Sequence, residues 1–279
     1  MKKVDVSIIS LTWNSERYLE SFLASLFADL ENSGLKYEIL IIDNGSKDKT
    51  KDILKSFSNK YPSKLVVIPL GKNMGTTFTR NIGIRMSTGE YIAILDSDTI
   101  ISKNFFKNIL NAFEKIPSKN IGIIHPKLVF PDGTFQESAR RFPTLSTKIL
   151  RLLDIEKLRT KNESIPEVLN NEIIPVDYAI SAAWFLKKEI FEKVGLLDEA
   201  IFYAPEDAEF CARLWDNGYE VWYYPKVEII HDAQRLTKKK PFSKLGLSHL
   251  NGLIRFWRKY KINLLREKVN FIRKSYLEN

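Results

Sequence analysis

Asp96 and Asp98 stand one serine apart at the end of an unbroken apolar run, Ile92-Ala93-Ile94-Leu95. Such a run reads as a strand buried on both faces, the usual state of a strand in a parallel sheet. A carboxylate without a partner is costly beside a core, so two of them need a use. At the C-terminal edge of an open α/β sheet, where ligands collect, they could hold a divalent cation through hard oxygen ligands. They could instead cap a helix beginning near Ser102, or bind their own backbone in a turn.

The elements around this pair follow a regular alternation. Residues 4–11 read as a strand, then come Thr12-Trp13-Asn14-Ser15 and a helix with the apolar stripe Tyr18, Leu19, Phe22, Leu23, Leu26, Phe27 and Leu30. Asn14 or Ser15 is its expected N-cap. Residues 38–42 give a second buried strand ending in Asp43-Asn44-Gly45-Ser46, followed by a helix that turns Ile53, Leu54 and Phe57 inward. A third strand over 64–68 leads to the polar loop Gly71-Lys72-Asn73-Met74-Gly75 and a helix over 76–87. The fourth strand is the one that ends in the two acids. Strand and helix alternating four times predict an α/β fold: a mostly parallel, Rossmann-like central sheet flanked by helices. In such a sheet the polar clusters after all four strands share one crevice.

The second half reads differently. Ile121–Phe130 and Thr134–Gln136 flank the turn Pro131-Asp132-Gly133, which predicts a hairpin. Residues 145–172 carry mixed charge and no clear period. Residues 173–186 read as a strand pair or one long strand carrying Ser181-Ala182-Ala183-Trp184, with a short helix near 188–194. Tyr203-Ala204-Pro205-Glu206-Asp207-Ala208-Glu209 opens a helix ending at Asn217-Gly218. Residues 219–224 and 226–230 are strand-like and finish at His231.

Composition is that of a soluble globular protein, with 44% hydrophobic and 28% charged residues among 279. No apolar run approaches a membrane span, and Met1-Lys2-Lys3 leads directly into a strand-like pattern, so no signal peptide is expected. A single cysteine, Cys211, excludes an intramolecular disulfide and reads as a small apolar helix residue. The net charge of +9 is unevenly placed: 13 Lys or Arg against two acids lie after residue 234, leaving the rest slightly negative. We therefore divide the chain into a domain over 1–234, with halves 1–100 and 101–234, and a basic amphipathic helical tail over 235–279.

Seven segments carry a resemblance by their order and spacing: Val-Ser-Ile-Ile-Ser-Leu-Thr-Trp-Asn-Ser (6–15), Ile-Asp-Asn-Gly-Ser-Lys-Asp (42–48), Asn-Met-Gly (73–75) with Arg80-Asn81, and Asp-Ser-Asp-Thr (96–99). Pro-Lys-Leu-Val-Phe-Pro-Asp-Gly-Thr (126–134), Glu-Asp-Ala-Glu-Phe-Cys-Ala-Arg-Leu (206–214) and Ile-Ile-His (229–231) complete the set. Together they resemble the family-2 glycosyltransferases of the GT-A fold, and among them the rhamnosyltransferase-like branch, over residues 4–235. The resemblance implies a nucleotide-binding half (1–100), an acceptor-binding half (101–234) with a smaller sheet, and an inverting, metal-dependent transfer. The donor would be a nucleotide-diphosphate sugar (UDP or dTDP), and the acceptor a hydroxyl of a saccharide or lipid-linked saccharide in surface-glycan synthesis.

Roles follow from the same resemblance. Asp98 would bind Mn²⁺ or Mg²⁺ together with His231, whose plain alternative is a strand-end histidine bonded to backbone. Asp96 would lie near the ribose and metal-bound water, with Ser97 between the two acids. Thr12, Trp13, Asn14, Asp43 and Asn44 would hold the nucleoside, although Asp43 and Asn14 could equally be caps. Lys72 and Arg80 would touch phosphate or sugar, or be solvated charges. Asp207 would be the base that takes the acceptor's proton, a task for a carboxylate within hydrogen-bond reach. Its alternative is that Glu206, Asp207 and Glu209 only satisfy first-turn amides. Arg140-Arg141-Phe142-Pro143 matches an arginine-aromatic-proline segment that would contact the diphosphate or an anionic acceptor. Ser181-Ala182-Ala183 departs from the Ser-Gly-Ala common in relatives, which bears on acceptor choice. Relatives also often follow the late histidine with glycine and serine, where this chain has Asp232-Ala233-Gln234-Arg235.

The tail's basic residues, interleaved with Leu250, Leu253, Ile254, Phe256 and Trp257, suit an anionic membrane surface at the cytoplasmic face. They also suit packing on the body or on a second subunit of a homodimer. Two other readings compete. A sugar nucleotidyltransferase needs a glycine-rich loop after the first strand, and Thr12-Trp13-Asn14-Ser15 has no glycine. A nucleic-acid-binding protein acting through its tail would not need acids on a sheet edge, and no nucleic-acid partner is expected.

Overall fold

β1 (Val6–Thr12), β2 (Tyr37–Asp43), β3 (Leu65–Pro69) and β4 (Tyr91–Leu95) pair in parallel in the order β3-β2-β1-β4. In the computed structural model, which describes residues 4–147, 162–233 and 244–278, they form one wing of a ten-stranded sheet. α1 (Leu19–Leu30), α2 (Thr50–Lys60) and α3 (Thr76–Met86) make the crossovers. Side chains alternate between faces along a strand. Ile8, Ile39, Ile41, Ala93 and Leu95 therefore pack with Phe22 and Leu26 of α1 on one face. Ile9, Leu40, Ile42, Ile92 and Ile94 pack with Ile84 of α3 on the other. β1, β2 and β4 are covered on both faces and apolar at most positions, whereas β3 at the rim leaves Val66 exposed.

The other wing mixes directions. β5 (Thr99–Ile101) and α4 (Phe105–Lys115) follow the two acids, then β6 (Ile121–Val129), β7 (Phe135–Gln136) and β8 (Ala139–Arg140). α5 (Pro166–Leu169), β9 (Ile174–Pro175), β10 (Tyr178–Ala179), β11 (Ala183–Lys187), α6 (Glu189–Val194), α7 (Glu206–Asp216) and β12 (Glu220–His231) complete the body. The sheet continues β4-β11-β6-β12-β5, with β11 antiparallel to both β4 and β6. β8 and β10 make a separate two-stranded sheet. The expected α/β architecture and small second sheet are both present.

Three local expectations need correction. Neither Asn14 nor Ser15 caps α1 with its side chain: residues 16–18 turn first, and the Ser15 carbonyl accepts the Tyr18 and Leu19 amides. Asn14 adopts φ 52° and is taken up by the neighbouring loop. No helix begins near Ser102, because β5 intervenes and α4 starts at Phe105, where Asp29 accepts the Phe105 and Phe106 amides. Residues 173–186 form three short strands, since β9 pairs with β12, β10 with β8, and β11 with β4 and β6.

In the tail, residues 234–243 lie outside the described residues, as do 148–161 of the mixed-charge stretch. α8 (Lys244–Lys259) and α9 (Ile262–Leu277) pack on the α3 and α7 side of the sheet through Phe256, Tyr260, Ile262, Leu265 and Val269. Arg273 of α9 reaches the fully buried Asp177 at 2.9 Å. No helix among the described residues is long and apolar enough to cross a membrane.

Candidate active site

The β12–β5 ladder sets His231 opposite Thr99, one residue beyond Asp98. The Asp232 amide extends the ladder by donating to the Asp98 carbonyl at 2.9 Å. Thr99 closes the turn of the two acids, its amide and hydroxyl both donating to the Asp96 carbonyl. As a result Asp96, Asp98 and His231 each bring one ligand atom within 4.8 Å of the others.

This group fits a divalent cation. Oδ1 of Asp98 is buried and receives no hydrogen bond, which is costly for a carboxylate oxygen unless a cation completes it. His231 stands 3.4 Å away through Nε2. Its Nδ1 lies 2.8 Å from Oε1 of Gln136, so the amide oxygen behind the ring suits a proton on Nδ1 and leaves Nε2 facing the acids. A ring nitrogen oriented by an amide oxygen behind it is the usual support of a metal-binding histidine. Burial and the charge of Asp96 raise the Asp98 pKa. Burial works against a charged His231, but the carboxylates of Asp98 and Asp96 outweigh it and raise its pKa. Two oxygens and one imidazole suit Mn²⁺ or Mg²⁺.

The loops after β1 and β2 are laced together. Thr12 is opposite Asp43, and its hydroxyl donates to Asp43 Oδ1 at 3.2 Å. Asp43 is fully buried, and both its oxygens accept the Ser46 amide at 3.3 Å, so it braces this turn. Asn14 Oδ1 accepts the Lys47 amide, and the Asn14 amide donates to Ser46 Oγ. Asn44 staples the third loop: its Oδ1 accepts the Met74 amide and its Nδ2 donates to Asn73 Oδ1. Trp13 is left 44% exposed over this platform, and Lys72 is exposed. Ser97 joins the platform through its hydroxyl, 3.0 Å from that of Ser15.

Arg80 is not a solvated charge. Its guanidinium is buried and spans three elements: Nη2 donates to Asp96 Oδ1 at 2.6 Å, and Nη1 to Ser181 Oγ at 2.7 Å and Glu206 Oε1 at 3.2 Å. Glu206 therefore turns inward from the first turn of α7. Burial and the neighbouring Asp207 raise its pKa against the pull of Arg80. Glu209 turns to the tail instead, accepting from Lys259 and Tyr260. Asp207 stays half-buried between them, with the Ala208 amide 2.7 Å from its Oδ1. Glu206 and Glu209 thus hold side chains, and Asp207 takes the Ala208 amide. In the second arginine segment, Arg140 donates to the Glu137 carbonyl and Phe142 is buried with its amide on Asp177.

Gln136 is a site residue that the sequence does not single out, and Ser181 and Glu206, though they lie in noted segments, take roles that spacing does not show, because each acts through a partner distant in the chain.

Residues 7–195 match the glycosyl transferase family 2 profile. The chain belongs to that family. Among relatives, the N-acetylglucosaminyl-diphospho-decaprenol L-rhamnosyltransferase of Mycobacterium tuberculosis is 26% identical over 88% of this chain and 82% of its own length. The minor teichoic acid biosynthesis protein GgaB of Bacillus subtilis is 31% identical over 55% of this chain, but only 16% of its own length is covered. Among solved structures, the mannosyltransferase PcManGT of Pyrobaculum calidifontis, in complex with GDP-Man and Mn²⁺, superposes with a TM-score of 0.62 at 16% identity. That match covers 93% of this family 2 chain and 64% of the mannosyltransferase. Staphylococcus aureus TarS 1-349 in complex with UDP gives 0.55 at 20% identity, over 81% and 59% of the two chains. This family 2 chain thus spans under two thirds of these solved relatives, which share its GT-A fold.

Proposed function

We propose that the protein is an inverting, metal-dependent glycosyltransferase of surface-glycan synthesis, moving a sugar from a UDP- or dTDP-sugar to a hydroxyl of a saccharide or lipid-linked acceptor. The observation that carries this reading is the meeting of Asp96, Asp98 and His231 on one sheet edge, with Arg80 joining Asp96 to the helix of Asp207. Asp207 takes the proton of the acceptor hydroxyl as its oxygen attacks the anomeric carbon and the bond to the diphosphate breaks. Asp98 and His231 would hold Mn²⁺ or Mg²⁺, which neutralises the departing diphosphate. Exposed Trp13, with Thr12, Asn14, Asp43 and Asn44 in the same laced loops, would hold the nucleoside, and Ser97 and Lys72 would touch the diphosphate.

The rhamnosyltransferase, teichoic acid and TarS relatives support surface-glycan synthesis. The deciding experiment is a thermal-shift panel of UDP-, dTDP- and GDP-sugars with and without Mn²⁺. One donor should stabilise the protein only with metal, and no response to any donor overturns the reading.

The reading extends to a peripheral place at the inner face of the cell membrane. Exposed Leu250, Ile254, Leu264 and Phe271 on α8 and α9, interspersed with Arg and Lys, support it. The protein should sediment with phosphatidylglycerol vesicles and not with phosphatidylcholine vesicles, and equal recovery from both overturns this part.

A further inference from the structure

α3 grips the whole segment that delivers Asp207. Asn81 Nδ2 donates to the Leu197 carbonyl at 2.9 Å, and the Leu197 amide donates back to Asn81 Oδ1 at 3.1 Å. The Thr77 hydroxyl and the Thr76 amide donate to the carbonyls of Ile201 and Phe202, each at 2.6 Å. Phe202 passes so close to Gly75 that a Cβ there would lie 2.5 Å from its carbonyl oxygen. Arg80 completes the grip at Glu206, the residue before Asp207.

The Arg80 side chain is only 4% exposed and that of Glu206 9%. A guanidinium so buried needs its charge balanced and its N–H groups filled. Asp96 and Glu206 balance it, while Ser181 accepts through both its hydroxyl and its carbonyl. The Ser181 hydroxyl then donates to Glu206 Oε1 at 2.9 Å, closing the triangle. The Asp96 amide donates to the Ala182 carbonyl at 2.9 Å, so backbone and side chains tie the same three elements. An arginine committed in this way is not positioned to serve a diphosphate as well.

We propose that Arg80, Ser181 and Glu206 are positioning residues that hold Asp207 at a fixed place relative to Asp96, making the base and the donor-side carboxylate one rigid frame. The proposal rests on the reading of Asp207 as base and Asp96 as donor-side. Lysine cannot replace Arg80 in this role, because a single ammonium lacks the fork that reaches both carboxylates.

The variants Arg80→Lys, Ser181→Ala, Glu206→Gln and the double Arg80→Lys/Glu206→Gln test it by two readouts. The first, amide hydrogen exchange, needs no substrate. Glu209, Phe210 and Cys211 in α7 should exchange about tenfold faster in each single variant while α1 is unchanged. Residues of one network are non-additive, so the double variant should exchange within about twofold of the faster single. The second readout uses the donor selected by the thermal-shift panel: Glu206→Gln and Arg80→Lys should lower kcat about tenfold, with donor KM held within about threefold. Unchanged exchange in α7 overturns the proposal. A raised donor KM with intact kcat in Arg80→Lys also overturns it, making Arg80 a phosphate contact. If no nucleotide sugar binds the wild-type protein, the functional reading fails and the exchange result alone decides the frame.

Discussion

Nε2 of His231 faces Oδ1 of Asp98 across 3.4 Å, and Gln136 holds the ring from behind at 2.8 Å. The carboxylate belongs to the turn after β4, the imidazole to the end of β12, and the amide to β7. Gln136→Leu removes only the rear support. It should weaken Mn²⁺ binding about 10–100-fold in titration calorimetry, as losses of such supporting partners do. Asp98→Asn should abolish binding. An unchanged affinity in Gln136→Leu would remove His231 from the ligand set.

Asp207→Asn keeps the size and the Ala208 contact of the side chain but cannot take a proton. Stabilisation by donor and Mn²⁺ should persist while transfer falls about 10²–10⁴-fold, the share of a general base. Nucleotide release assayed with the stabilising donor measures this. Transfer at the wild-type rate would disqualify Asp207 as base.

His125 gives the fold an acid limit. It is fully buried, with Nδ1 2.8 Å from the Ala183 carbonyl and Nε2 2.8 Å from Ser138 Oγ, and burial lowers its pKa from 6.5 to about 4. A folded-state pKa below the unfolded one means stability that is present above pH 6.5 and lost as pH falls through 4. Urea unfolding at pH 5 should show a loss on the order of 2 kcal/mol relative to pH 7. The loss should shrink in His125→Gln, and an equal loss in that variant would assign the acid limit elsewhere.

Arg273→Leu should cost about 3 kcal/mol in urea unfolding, because among the described residues it leaves the fully buried Asp177 with Arg266, 3.9 Å away, to balance it. The double variant Asp177→Leu/Arg273→Leu should be less destabilised than the single one. If Arg273→Leu unfolds like wild type, the tail is not anchored through this pair.

The parallel wing was legible in the sequence because burial on both faces makes β2 and β4 apolar along most of their length, while α1 keeps the 3.6-residue stripe of Phe22, Leu26 and Leu30. The hairpin at Pro131-Asp132-Gly133 was legible from turn chemistry, as β6 and β7 confirm. β5 was not: three residues hold no period, and its existence depends on β12, more than a hundred residues later. The two acids could be read as a cation site, but the rear support of His231 and the burial of Arg80 could not. Both come from contacts between elements that no local spacing records. The packing of the tail on the body was one of two readings its composition allowed, but its buried Arg273 looks in sequence like any other of its many cations.

β11 lies antiparallel between β4 and β6 and is the strand through which the two wings of the sheet are joined. It is also the last of those three to leave the ribosome. Until Ala183–Lys187 arrives, the apolar edge of β4, ending at Asp96, has no neighbour on that side. An unpaired apolar edge is a template for strand addition by another chain. The nascent N-terminal half is thus a sticky body that needs β11, from the second half, to seal it, and any fragment ending before residue 183 should be an aggregation hazard with half a catalytic centre already in place.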